Sequence, residues 1–341
     1  MIPIKNLYFI LCYSWGRLDE GALIDVSVDE IKAPQNLLAK VLINGTNRLL
    51  KEGLDRGYIE ELEETASLRG KIDFSVSIRK MLFHQGKAAV LVDDLSHNIP
   101  HNQILKTTIV TLLKNVEIDR KLHSELQVIE RSLRSVDLIN LNSATFKRVQ
   151  FHQNNSFYSF LMNVCELIYL NSQPDSEGGE VKFRDFTRDE VKMRKVFQDF
   201  VLNFYKLNQS EYSVDPERLH WDSVDSDGDS WMFPFMYTDV TLSSHDRKIV
   251  LDTKYYQEAF QTNWGKQTIR NDHLYQLNTY LDYTKPPTNP NAKLDGILLY
   301  PATNDEFTLK RRTRGHQIIV AAVDLRKDWK FISNRLLELI K

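Results

Sequence analysis

The sequence predicts an α/β protein, with a mixed α+β N-terminal region followed by a C-terminal core built as a mixed sheet flanked by helices. Three observations carry this expectation. The second half runs helix, hairpin, helix, strand, strand, helix, an order that layers helices over a sheet. The chain of 341 residues is 42% hydrophobic and 26% charged, a globular composition large enough for two ordinary cores. Between the halves, "QPDSEGGEVKFRDFTRD" breaks the apolar periodicity with Pro, Gly and acids, and it sets the expected domains at 1–172 and 173–341.

Taken in order, "IPIKNLYFILCYSWGRL" spaces Tyr8, Phe9, Tyr13 and Trp15 as a helical core, with a partner-docking surface as the competing reading. "QNLLAKVLINGTNRLLKEG" and "HNQILKTTIVTLLKNVEIDRKLHSELQVIERSLRSV" carry apolar residues at three- and four-residue spacing and predict helix. "GKIDFSV" and "KAAVLVDD" predict strands, and "SFYSFLMNVCELIYLNS" closes this half as an amphipathic helix. Past the boundary come the helix "DEVKMRKVFQDFVLNFYKL", the hairpin "MYTDVTLSSHDRKIVLDTKYY" and the helix "NDHLYQLNTYLDYT". The strands "DGILLYP" and "HQIIVAAVDL" and the helix "NRLLELIK" complete the chain.

A formal net charge of -2 lacks the basic excess by which autonomous nucleic-acid binders collect phosphate. Action on DNA would therefore need a partner to hold it. No apolar run approaches the roughly 20 residues of a bilayer span, and the N-terminus lacks a basic leader, so the cytoplasm is the expected compartment and no membrane partner is expected. Cys12 and Cys165 alone support neither a disulfide framework nor a thiolate metal site; both are expected as packed core thiols.

The hairpin holds charges where strands normally avoid them. An acid-x-Lys triplet occurs seven times in the chain, so alone it means little. Only Asp252-Thr253-Lys254 follows a branched apolar run, Ile249-Val250-Leu251, and only it is preceded by a strand-like segment with a central acid, "FMYTDVTL". Alternation puts Asp252 and Lys254 on one strand face. Pairing Asp239 opposite Asp252 sets Leu242 opposite Ile249 and leaves Ser243 to Lys248 as a six-residue loop; a one-residue slip would send Asp239 to the other face.

Two carboxylates at cross-strand distance repel unless a cation lies between them, and oxygen-only ligands suit Mg²⁺, with Mn²⁺ as a substitute. The backbone carbonyl of Thr253 adds a third oxygen. Lys254, beside such a metal, is suited to orient or deprotonate an attacking water or to offset charge on a phosphorane. The competing reading is a structural Asp-Lys pair at a strand end. In the next helix Gln276 and Tyr280, four apart, share a face while Leu274, Leu277 and Leu281 form an apolar stripe, so an amide and a phenol stand ready to position phosphate or brace the metal ligands.

Asp239, Asp252-Thr253-Lys254 and Gln276-Leu-Asn-Thr-Tyr280 together resemble the PD-(D/E)xK nuclease core in its Q-x-x-x-Y version, with Thr238 in place of the proline. "IPIKNLYFILCYSWGRL" and "RGKIDF" resemble the McrC family, nuclease subunits of McrBC modification-dependent restriction systems, and the similarity runs from Ile2 through the last strand. The resemblance implies a C-terminal Mg²⁺-dependent endonuclease of double-stranded DNA. It implies an N-terminal region that docks on, and stimulates, a hexameric AAA+ GTPase ring of the McrB kind. It assigns Asp239, Asp252 and Thr253 to the metal, and Lys254, Gln276 and Tyr280 to catalysis with them. No G-x-x-x-x-G-K-[ST] loop is present and "WGKQT" lacks the earlier glycine, so GTP is expected to bind the partner. The related nucleases often carry a helical glutamate in a segment like "LFE"; here Val196-Phe197-Gln198 lacks the acid, and Glu190 is either its substitute or a solvated first-turn residue.

Other candidates are weaker. His97 and His101 have zinc-helix spacing, but Pro100 lies between them and no third ligand is evident, which predicts a solvated loop pair. "DSDGDS" at 225–230 lacks the glycine and glutamate of a calcium loop and predicts a turn. "KRRTRGH", from Lys310 to His316, is the densest basic cluster and is either a phosphate contact or an exposed turn.

Overall fold

The computed structural model of the protein describes residues 2–18, 31, 33–67, 69–151, 155–174, 181–221, 233–255, 260–263, 266–285, 289, 292–302 and 305–341. The turn expected at 225–230 lies outside these residues, as do Trp264 and Gly265 of "WGKQT". Contacts divide the chain into two compact units, Met1–Lys32 with Asp185–Lys341, and Ala33–Arg184. This differs from the expected division at 172/173. Helix α1 (Ile4–Ser14) belongs with the C-terminal half, where Ile10 and Tyr13 join its core. Asn6 Nδ2 donates to the carbonyls of Leu325 and Lys327 at 2.8 and 2.7 Å, and Phe9 and Tyr13 stack on Trp329. The apolar spacing gives the helix; it cannot say which of two cores receives it.

In the unit Ala33–Arg184, α2 (Pro34–Glu52) starts on a proline already set for the first helical turn and stops at Gly53, whose φ of 99° other residues resist. Strands β1 (Gly57–Thr65) and β2 (Lys71–Ile72), helix α3 (Phe74–Arg79) and strand β3 (Ala88–Ser96) follow, with sheet order β1-β3-β2. "GKIDFSV" is thus only briefly strand. The Asp73 side chain accepts from the Val76 amide and caps a helix there. The long helical stretch divides into α4 (Pro100–Leu113) and α5 (Arg120–Ser132), followed by α6 (Ser143–Lys147), α7 (Ser156–Asn171) and the paired strands β4 (Ser172–Pro174) and β5 (Val181–Phe183).

The histidine pair divides: His97 lies in a half-buried bend, whereas the loop expectation fails for His101. Pro100 occupies the first position of α4, where its missing N–H costs nothing, so it starts the helix instead of breaking it. His101 is 7% exposed, edge-on to Tyr158 at 4.4 Å and 3.2 Å from Asp55 Oδ2. Burial holds its imidazole below the ordinary range. Cys12 and Cys165 are both buried, as expected of packed core thiols.

The other unit continues with α8 (Glu190–Asn208), capped by Asp189, whose carboxylate accepts from the Val191 and Lys192 amides. Strands β6 (Ser213–Asp215), β7 (Arg218–Leu219), β8 (Met236–Tyr237), β9 (Val240–Ser243) and β10 (Arg247–Thr253) lead to the paired β11 (Phe260–Asn263) and β12 (Lys266–Ile269). Helix α9 (Asn271–Tyr283), strands β13 (Lys293–Pro301), β14 (Thr308–Thr313) and β15 (His316–Val323), and helix α10 (Trp329–Leu339) complete it. The six-stranded sheet has the order β14-β15-β13-β10-β9-β6. Its centre, β10, β13 and β15, is parallel and its flanks are antiparallel, which makes the mixed sheet the sequence predicts.

Alternation along β10 sorts its side chains between two cores. Ile249 and Leu251 enter the core shared with Phe197, Phe200, Phe204 and Leu336, whereas Val250 enters the one shared with Leu277, Tyr280 and Leu281 of α9. Asp252, two residues after Val250, therefore faces α9. Helix α9 lies close to the sheet because β13 offers Gly296 beneath it: a Cβ there would meet Leu277 and Leu281 side-chain atoms at 3.0 Å.

Candidate active site

The hairpin register is the expected one, Leu242 opposite Ile249 and Val240 opposite Leu251, although Ser243 and Lys248 pair and the loop is shorter than six residues. "FMYTDVTL" is not one strand. Met236–Tyr237 pairs with Arg218–Leu219, Val240–Ser243 pairs with β10, and Asp239 occupies the bend between them. Thr238 makes the break: its N–H donates to Glu217 O at 3.0 Å, and its hydroxyl accepts from the Glu217 amide at 2.7 Å.

Asp239 is then caught by the neighbouring strand. Its Oδ2 accepts from both the N–H and the hydroxyl of Thr253, each at 2.7 Å. Lys254 Nζ lies 2.8 Å from Asp252 Oδ2 and donates to Gln276 Oε1 at 2.7 Å. Gln276 Nε2 in turn donates to the Tyr280 hydroxyl at 2.6 Å, which fixes the amide so that its oxygen faces the lysine. All six residues singled out in the sequence are thus linked in two contiguous sets at the C-terminal end of β10.

The electrostatics of this corner are unusual. Asp252 is 1% exposed, and burial drives its carboxyl up to about 7; Lys254 opposes the shift and the Asp239 charge adds to it. Apart from the ammonium beside it, Asp252 Oδ2 receives no hydrogen bond. Such an atom suits a cation. Among the described residues no three of His, Cys, Asp and Glu converge, so a metal here would take two carboxylates and complete its shell with carbonyl, water or substrate oxygen. The donor set fits a hard divalent cation.

Two residues that sequence reasoning passed over belong to the neighbourhood. Asp199, on α8, has its carboxyl raised by burial and, after the opposing effect of Lys195, by the Asp239 charge. It stands beside Gln198 in the sequence, the only signal that could have drawn attention to it. His273, one turn before Gln276 on α9, donates to or accepts from the Tyr300 hydroxyl at 2.7 Å. Glu190, by contrast, acts electrostatically on Tyr255, whose phenol is pushed up to about 12 mainly by burial.

The basic run is placed elsewhere. Lys310 to Thr313 form the exposed edge strand β14, not a turn, three strands across from β10. Successive registers, Thr308 with Ala321 and Thr313 with His316, carry it away from the Asp252 end. Arg314, in the turn that follows, lies 3.7 Å from Asp282.

Fold and site define a mixed-sheet protein with two carboxylates and a lysine at the end of a central parallel strand. The family model described as "McrBC 5-methylcytosine restriction system component" matches residues 12–301, and the chain belongs to that family. It is 28% identical over 340 residues to the Type IV methyl-directed restriction enzyme EcoKMcrBC of Escherichia coli (strain K12), covering 99% of this chain and 97% of that one. A chain of the half-complex refined from the tetradecameric assembly of Thermococcus gammatolerans McrB AAA+ hexamers with bound McrC is similar over 99% of this chain and 76% of its own, with a TM-score of 0.57 and 18% identity. A chain of the cryo-EM structure of the Thermococcus gammatolerans McrBC complex aligns over 62% of this chain and 60% of its own, with a TM-score of 0.43 and 19% identity. Among the described residues no helix is long and apolar enough to cross a membrane.

Proposed function

We propose that this restriction-system component is a Mg²⁺-dependent endodeoxyribonuclease of the PD-(D/E)xK type, acting in the cytoplasm on double-stranded DNA. It docks on and stimulates an AAA+ GTPase ring of the McrB kind, to which GTP binding and recognition of modified cytosine are delegated. The observation that carries the reading is the continuous chain of contacts from Asp252 through Lys254 and Gln276 to Tyr280, beside an Asp239 held by Thr253.

Asp239 and Asp252 would hold the metal, with the Thr253 carbonyl as a further oxygen. The metal supplies Lewis-acid stabilisation and an activated water when bound. Thr253 fixes the orientation of Asp239 through its N–H and hydroxyl. Lys254 uses two of its three donors on Asp252 and Gln276, which leaves the third for a phosphate oxygen or the attacking water. Family membership supports the ring partner, and a net charge of -2 supports delegation of DNA holding.

The test separates chemistry from assembly. Lys254→Ala should lower cleavage of a plasmid bearing 5-methylcytosine by orders of magnitude, consistent with about 3–4 kcal/mol of lost transition-state stabilisation, while GTP turnover by the partner ring stays near wild type. Asp239→Ala should remove a weak Mn²⁺ site seen by calorimetry. Cleavage retained by a folded Lys254→Ala variant would reduce the pair to a structural one.

A further inference from the structure

We infer that His273 is a positioning residue for Lys254: through its hydrogen bond to Tyr300 it pins the first turn of α9 to the sheet and so sets where Gln276 meets the lysine. This rests on the nuclease reading above, which places Lys254 in the chemistry.

The geometry comes from two registers. On β13, Leu298 is the partner of Asp252 and Leu299 that of Thr253, and the Lys254 amide continues the ladder to Leu299 O at 2.9 Å. The next residue, Tyr300, is therefore the lateral neighbour of Lys254 on the α9 face, where it lies fully buried in the core with Leu277 and Tyr280. On α9, His273, Gln276 and Tyr280 follow at helical spacing on one side, with Gln276 about 4.5 Å further along the axis than His273. The 2.7 Å contact between His273 Nδ1 and the Tyr300 hydroxyl thus ties the helix to the strand beside β10, just before the residue that must meet the ammonium at 2.7 Å.

The surroundings explain why an imidazole suits this position. His273 is 3% exposed. Burial, then the Lys254 ammonium, hold it down to about 4; Arg270 of the turn before α9 and Arg194 of α8 act the same way, against Asp272. A neutral ring can exchange a hydrogen bond with a phenol without placing a second cation against Lys254. Leucine would fill comparable space without the bond, and lysine or arginine would add the charge.

The experiment uses the full chain with its GTPase ring, GTP, Mg²⁺ and a plasmid bearing 5-methylcytosine, under single-turnover conditions. His273→Leu and Tyr300→Phe should each slow cleavage about tenfold at saturating DNA, with the half-saturating DNA concentration unchanged. The double variant should be no slower than either single, because one bond is lost in all three. His273→Asn, whose amide reaches the place of Nδ1, should recover most of the rate. Mn²⁺ binding measured by calorimetry should match wild type throughout, which a general collapse of the site would not allow. Tyr300→Phe removes one hydroxyl and carries the test even where His273→Leu folds poorly. Wild-type cleavage by Tyr300→Phe, additive losses in the double variant, or an asparagine variant as slow as leucine would overturn the inference. Lys254→Ala run alongside keeps the readings apart: if it cleaves normally the nuclease assignment fails, and if it is inactive while Tyr300→Phe is unimpaired only the positioning role fails.

Discussion

At the scale of single residues, the site is dominated by one expensive group. Asp252 carries a carboxyl raised to about 7, chiefly by burial, so below that pH the folded protein without a bound cation favours its protonated form. The sign follows from linkage: a folded value above the unfolded one, near 3.8, gives a stabilising contribution present in full below that range and lost as pH rises through about 7. Metal-free protein should therefore lose stability between pH 4 and pH 8, and Asp252→Asn should flatten the slope. At pH 8 in a chelator the asparagine variant should be the more stable by a few kcal/mol, on the order expected for about three units at 1.36 kcal/mol each. Urea denaturation at four pH values measures this. A wild-type profile with no slope would mean that the carboxylate is already compensated. That Asp239, Asp252, Lys254, Gln276 and Tyr280 gather at one corner was legible in the sequence, from the hairpin register, strand alternation and helical spacing taken together; their roles are the proposal made above. Asp199 and His273 were not: a half-buried acid on a helix and a histidine on an apolar stripe gain their meaning only from what packs opposite them.

At the scale of elements, strong apolar periodicity located α2, α4, α5, α7, α8 and α9, and the branched run located β10. The failures share a cause. "GKIDFSV" is strand only at Lys71–Ile72 because Asp73 caps a helix that begins at Phe74, and "FMYTDVTL" broke because Thr238 bonds Glu217; in both, a polar side chain bound to backbone interrupts the strand pattern. The basic run became an edge strand because the two-residue turn Arg314-Gly315, both at positive φ, folds it back on β15 as a hairpin. The placement of α9, on which Gln276 and Tyr280 depend, rests on a residue with no side chain. Gly296→Val would drive a branched group against Leu277 and Leu281, already 3.0 Å from an ideal Cβ, and should cost about 1–3 kcal/mol by overpacking. Lifting α9 also withdraws Gln276 from Lys254. The variant should lose cleavage more steeply than its melting temperature accounts for, with GTPase stimulation retained; a fall in stability alone would show that α9 tolerates displacement.

At the scale of the whole molecule, the chain crosses its own domain division: residues 1–32 belong with 185–341, although 152 residues of another unit intervene between Lys32 and Asp185. A boundary drawn from composition misses this, because turn residues mark where a chain leaves one core and say nothing of a segment returning from far upstream. The consequence is measurable. In the core formed by α8, α10 and the sheet, α1 supplies Ile10 and Tyr13, and Asn6 satisfies two carbonyls just before α10. Full burial of two such apolar side chains is worth about 1.5–3 kcal/mol each. Against the roughly 5–15 kcal/mol of a typical domain, a fragment beginning at Asp185 should be marginal, with Trp329 deprived of the rings of Phe9 and Tyr13 that stack on it. A synthetic peptide of residues 1–18 should restore cooperative unfolding to the fragment and change its tryptophan emission, and a peptide carrying Asn6→Ala and Tyr13→Ala should do so weakly. A fragment that unfolds as sharply alone as with the peptide would make α1 a dispensable decoration of this unit, and truncation at residue 173 would then be harmless to it.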